Sequence, residues 1–131
     1  MSAIELENND SITLYEDWDK FNLKEDVHRG LLSYGFEKPT AIQQKAIKPL
    51  IDGRDIVGQA QSGTGKTGAF TVGTLQRVDV SQQSTQVIIL SNTHILAKQT
   101  FKVINDIAKY CDGIVTKLLI GKTAVSEDIN E

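Results

Sequence analysis

The chain has 131 residues, of which 40% are apolar and 24% charged, and a formal net charge of −3. That is enough for one domain with a core, while the longest apolar run, Val87-Ile88-Ile89-Leu90, falls far short of the ~18 residues of a membrane span. The acidic, polar start is no signal peptide, and the single Cys111 excludes an internal disulfide and fits a reducing compartment; a monomer without membrane contact is expected.

Charge is uneven along the chain. Residues 1–26 carry eight acids and two bases, whereas the remainder carries nine acids and twelve bases. An acidic arm over residues 1–16, without hydrophobic periodicity, is expected to be disordered and to precede a mildly basic body over 17–131. Asn22 then offers a helix cap, with Glu25 three residues on; Val27, Leu31 and Tyr34 recur at helical spacing and Gly35 ends the run. A second helix is expected from Thr40, with Ile42, Ala46, Ile47 and Leu50 as its buried stripe, Pro49 kinking it and Gly53 closing it. Asp55 to Gln59 reads as a short strand, followed by a Gly-rich turn and a helix from about Gly65 to Gln76. Thr85 to Leu90 reads as a strand covered on both faces. A long helix is expected over Thr93 to Tyr110, with Leu96, Phe101, Ile104, Ile107, Ala108 and Cys111 facing inward, and a third strand over Ile114 to Ile120. Alternating strands and helices predict an α/β fold with a parallel sheet and flanking helices.

The turn after the first strand, Ala60-Gln61-Ser62-Gly63-Thr64-Gly65-Lys66-Thr67, fits the phosphate-loop pattern G-x-x-x-x-G-K-[ST], with Ala60 replacing the first glycine. Gly63 and Gly65 let the backbone curl so that successive N–H groups face phosphates. The helix that follows adds its positive N-terminal pole. Lys66 supplies a point charge for the β- and γ-phosphates, and Thr67 a hydroxyl for Mg²⁺, which makes these two the catalytic candidates and Thr67 the metal candidate. The candidate nucleotide-binding stretch is Gln61, Ser62, Gly63, Thr64, Gly65, Lys66, Thr67 and Gly68. The competing reading is a Gly-rich connector with an incidental lysine; its place between a predicted strand and a predicted helix speaks against that.

Upstream lies Gly35-Phe36-Glu37-Lys38-Pro39-Thr40-Ala41-Ile42-Gln43. Locally, Thr40 and Gln43 make a capping box. An amide also carries the donor and acceptor needed to read the N6 and N7 edge of adenine. This segment resembles the Q motif of DEAD-box RNA helicases, and Ala60 to Thr67 resembles their motif I. Trp18, seventeen residues before Gly35, matches the isolated aromatic of that family. The likeness covers about residues 17–131 and is strongest to the translation-initiation branch, with a nuclear exon-junction branch close behind. It implies a RecA-like ATP-binding domain, with Gln43 reading adenine, Phe36 and Trp18 packing near the base, Thr40 holding the loop, and ATP and Mg²⁺ as cofactors. RNA and translation initiation factors are the implied partners. The location is cytoplasmic, or nuclear for the other branch. The alternative for Trp18 is ordinary packing of the arm onto the body.

Two segments depart from the family. Its Pro-Thr-Arg-Glu-Leu appears here as Asn92-Thr93-His94-Ile95-Leu96, and its Gly-Gly pair as Gly121-Lys122. Thr93, His94, Gly121 and Lys122 are the candidate RNA contacts. Without the arginine, RNA binding by these 131 residues is expected to be weak. The acidic box and the second RecA-like domain are not among them, so the sheet is expected to be incomplete at the C-terminus and the chain alone inactive as an ATPase. The rival function is a non-catalytic nucleotide- or partner-binding module. A kinase or GTPase is disfavoured because no Asn-Lys-x-Asp segment is present.

Overall fold

A computed structural model describes residues 3–6 by their backbone and residues 13–121 with their side chains. Strand β1 (Ala3–Leu6) pairs antiparallel with β2 (Ile56–Gln59), and four helices follow the chain: α1 (Glu25–Tyr34), α2 (Ala41–Ile51), α3 (Lys66–Arg77) and α4 (His94–Ile107). A 3-10 turn, Trp18–Phe21, precedes α1, and a second, Ala108–Tyr110, extends α4.

Part of the segment over residues 1–16 is described. Residues 3–6 form β1, and Tyr15 is tied to the body: its ring stacks on Phe21 at 4.9 Å and its N–H donates to the Gln44 carbonyl at 3.4 Å. The aromatic ring gains a partner there that a charge count does not reveal. Residues 1–2 and 7–12 lie outside the described residues. The helix start expected at Asn22 also moves. Asn22 sits at φ 52°, a left-handed conformation that asparagine tolerates, and closes the turn after Phe21. Lys24 therefore takes the cap position of α1. Gly35, at φ 97°, ends α1 as the sequence predicts. Helix α2 opens on the Thr40–Gln43 capping box and continues two residues past Pro49.

The core is built between helices. Val27 and Leu31 of α1 meet Ala46 and Ile47 of α2, Ala69, Val72 and Leu75 of α3, and Ile107 of α4, with Trp18 and Phe21 in the same cluster. Two helix crossings have no room for a side chain. A Cβ on Gly30 would lie 1.8 Å from the Ile107 carbonyl oxygen, and one on Gly73 would lie 2.6 Å from Leu50 Cβ. The glycines let α1 approach the end of α4, and α3 approach α2.

The parallel sheet is the expectation that fails among the described residues. Neither Thr85 to Leu90 nor Ile114 to Ile120 forms a strand. In the segment expected to be covered on both sides, Ile88 is 79% and Leu90 91% exposed; in the expected third strand Val115 is 93% exposed. Helix α4 shares that exposure. Its buried residues are Thr100 and Ile107, while Leu96, expected to face inward, is exposed. These are the surfaces a larger sheet would cover, and no described strand lies against them.

Candidate nucleotide site

Strand β2 delivers the chain to the loop at Ala60, and α3 begins at Lys66. Between them Gly63 lies at φ 77° and Gly65 at φ 98°, the left-handed region that favours glycine. The loop is held by its own carbonyls. The Lys66 Nζ donates to the Ala60 carbonyl and, at 2.8 Å, to the Gln61 carbonyl, while Thr64 Oγ1 donates to the Gln61 carbonyl at 2.7 Å. Lys66 is thus half-buried and engaged. Gln61, Ser62 and Gly63 are exposed, Thr64 to Thr67 half-buried and Gly68 buried. Thr67 is the second residue of α3. Two glycines at positive φ, a helix N-terminus and an ammonium group suit a polyphosphate, whose oxygens would compete with the loop carbonyls for the Lys66 protons.

The Gln43 side chain is fully buried, at 0% exposure, against this loop. Its Oε1 accepts from the Thr40 N–H at 2.8 Å, and its Nε2 donates to the Gly65 carbonyl at 3.1 Å. The fit is close on both sides. A Cβ on Gly65 would lie 2.7 Å from Gln43 Nε2 and from Thr40 Oγ1, and one on Gly68 would lie 2.7 Å from Gln43 Nε2 and from the Phe36 ring. Gln43 therefore forms the capping box and touches the phosphate loop with the same amide. That bridge spans 22 residues of sequence, so no local pattern shows it.

Phe36 is half-buried and meets Tyr34 edge-on at 4.9 Å. Trp18 lies in the core beside Phe36. It is 4% exposed within the core, and its Nε1 donates to the Phe36 carbonyl at 2.8 Å. A large apolar ring with one donor is well satisfied this way; Trp18 packs against Phe36, their ring centroids 6.5 Å apart.

The candidate RNA contacts converge in part. Thr93 Oγ1 accepts from the Leu96 N–H at 3.1 Å and so caps α4, leaving His94 exposed as its first residue. A Cβ on Gly121 would lie 3.4 Å from His94 Nε2, so these two positions adjoin. Lys122 lies outside the described residues. Elsewhere, burial first, and then the nearby Asp26, push the Cys111 thiol above its ordinary range, which suits packing and not nucleophilic attack.

A strand, a glycine-bearing loop and a helix N-terminus locked to a buried glutamine make a phosphate-loop arrangement. The chain belongs to the DEAD/DEAH box helicase family, which it matches over residues 40–131. It is 46% identical over 124 residues to the ATP-dependent RNA helicase eIF4A of Lodderomyces elongisporus, covering 95% of this chain and 31% of that protein. It is 45% identical over 131 residues to eukaryotic initiation factor 4A of Cryptosporidium parvum, covering 99% of this chain and 32% of that one. Among solved structures it resembles a DEAD box protein of Methanococcus jannaschii, with a TM-score of 0.74 at 26% identity over 89% of this chain and 32% of the other. It also resembles Saccharomyces cerevisiae Dbp5 bound to RNA and ADP BeF3, with a TM-score of 0.66 at 33% identity over 73% of this chain and 25% of the other. The chain thus spans about a third of the length of the curated relatives it matches. Its fold is that of part of a DEAD-box RecA-like domain, without the full parallel sheet.

Proposed function

We propose that this chain is the ATP-binding part of an initiation-factor-4A-like RNA helicase that works in cytoplasmic translation. The observation that carries this reading is the Gln43 amide, held between Thr40 N–H and the Gly65 carbonyl, because it joins the base-reading segment to the phosphate loop in one hydrogen-bonded unit. In this reading Gln43 reads adenine, Phe36 lies near the base, and Gln61 to Gly68 wrap the phosphates. Lys66 leaves the Ala60 and Gln61 carbonyls for the β- and γ-phosphates, and Thr67 holds Mg²⁺. The bound Mg²⁺ would offset charge on the triphosphate. Thr93, His94 and Gly121 form a weak contact with the RNA sugar-phosphate backbone. RNA and translation initiation proteins are the partners, and ATP hydrolysis coupled to strand separation belongs to the whole helicase.

Thermal-shift titration with Mg²⁺–ATP and Mg²⁺–GTP tests the reading. Saturable stabilisation by ATP, with much less by GTP, is expected. Equal stabilisation by both would remove adenine reading, and none by either would remove the site.

A further inference from the structure

We infer that Tyr34 is a positioning residue of the nucleotide site, holding the Phe36 ring in place for the base. The inference rests on the reading of that site as one for ATP, and it adds a residue outside the base-reading segment, which begins at Gly35. In the sequence Tyr34 is one more position at helical spacing in α1. In the structure it stands outside the core cluster, 37% exposed, and its ring meets Phe36 at 4.9 Å and 69°. The end of α1 produces that meeting. Gly35 N–H donates to the Leu32 carbonyl and Phe36 N–H to the Leu31 carbonyl, each at 3.1 Å, the paired bonds of a Schellman cap. With Gly35 at φ 97° the chain turns back, and the rings on either side of it come together. The Phe36 backbone is then fixed at both polar atoms, since its carbonyl accepts from Trp18 Nε1 at 2.8 Å. A backbone so held leaves the ring only its rotamers, and three neighbours restrict those. The Trp18 ring lies at 6.5 Å and 25°. The first turn of α3 closes a second side, where a Cβ on Gly68 would lie 2.7 Å from Phe36 Cε2. Tyr34 takes the third. Trp18 and Gly68 are buried and belong to the packing of the fold, whereas Tyr34 is the contact at the rim. The same point on Gly68 is 2.7 Å from Gln43 Nε2, so the seat that Tyr34 closes sets Phe36 beside the amide assigned to the base.

Isothermal titration calorimetry on the 131-residue chain tests this with Mg²⁺–ATP and with Mg²⁺–tripolyphosphate, which carries the phosphates without the base. The parent should bind ATP more tightly. Tyr34→Ala should weaken ATP binding by roughly two- to tenfold, the worth of one aromatic pair, and leave tripolyphosphate near its parent value. Tyr34→Phe keeps the ring and should recover the parent preference. Leu32→Ala, at an exposed position on the same last turn of α1, controls for damage to the helix end and should keep the preference too. An ATP preference unchanged in Tyr34→Ala, or an equal loss for both ligands, would overturn the inference and leave the site reading intact, because Tyr34 would then serve packing alone. A parent that binds both ligands equally would overturn base binding itself, and the role of Tyr34 with it.

Discussion

Replacing Gln43 separates its two roles. In Gln43→Ala, the Thr40 N–H loses its acceptor and the Gly65 carbonyl its donor. Each such bond is worth about 0.5–1.5 kcal/mol net. One buried methylene of the stem adds about 0.8 kcal/mol. The loss is then about 2–4 kcal/mol, which for a domain of this size lowers the melting temperature by about 8–16 °C. Gln43→Glu is the finer probe. A carboxylate still accepts from the Thr40 N–H, so the helix cap survives, but it cannot donate to the Gly65 carbonyl or to a base. Both variants should lose the preference for ATP over GTP, while Glu keeps more of the capping bond. The assay is differential scanning fluorimetry without nucleotide and then with each Mg²⁺–nucleotide. If Gln43→Ala melts early yet keeps its ATP preference, Gln43 is only a cap and adenine reading is refuted. If it neither melts early nor changes preference, the bonding described for Gln43 is refuted as well.

Three further perturbations have expected outcomes. Gly30→Ala puts a methyl 1.8 Å from a backbone carbonyl that no side-chain rotation can move, and should cost about 3 kcal/mol or more, read as a lower urea midpoint with an unchanged slope. Lys66→Ala should abolish the Mg²⁺–ATP shift while changing the melting temperature of the free protein by only a few degrees; an undiminished shift would contradict the phosphate-loop assignment. His94→Arg restores the cation the family places there, and should tighten RNA binding and steepen the dependence of log affinity on log salt by about one unit, measured by fluorescence anisotropy between low and moderate salt.

The parts of this fold that could be read from sequence are those whose hydrogen bonds close locally. A helix bonds each N–H to a carbonyl four residues back. Its start and stop are therefore written in nearby side chains: Thr40 with Gln43 opens α2, Thr93 opens α4, and Gly35 ends α1 where expected. Motif I was legible for the same reason, since loop, lysine and helix lie within eight residues. Asn22 shows the limit of that logic. Its cap signal was sound, but a left-handed turn after the Trp18–Phe21 segment claimed its backbone first. Trp18 shows another limit, because a ring that can lie near a base can equally fill a core, and its long-range bond to the Phe36 carbonyl is written in no local pattern. Strands differ in kind. The apolar run Val87 to Leu90 and the apolar residues of Ile114 to Ile120 declare that these segments suit a covered sheet, but a strand exists only when another supplies its bonds. Ile56–Gln59 has such a neighbour in Ala3–Leu6, and so it is a strand. The two later segments carry the same β-branched and apolar signature but form no strand, and Ile88, Leu90 and Val115 are open to water. Hydrophobic pattern thus reports a demand for burial, while topology decides whether that demand is met.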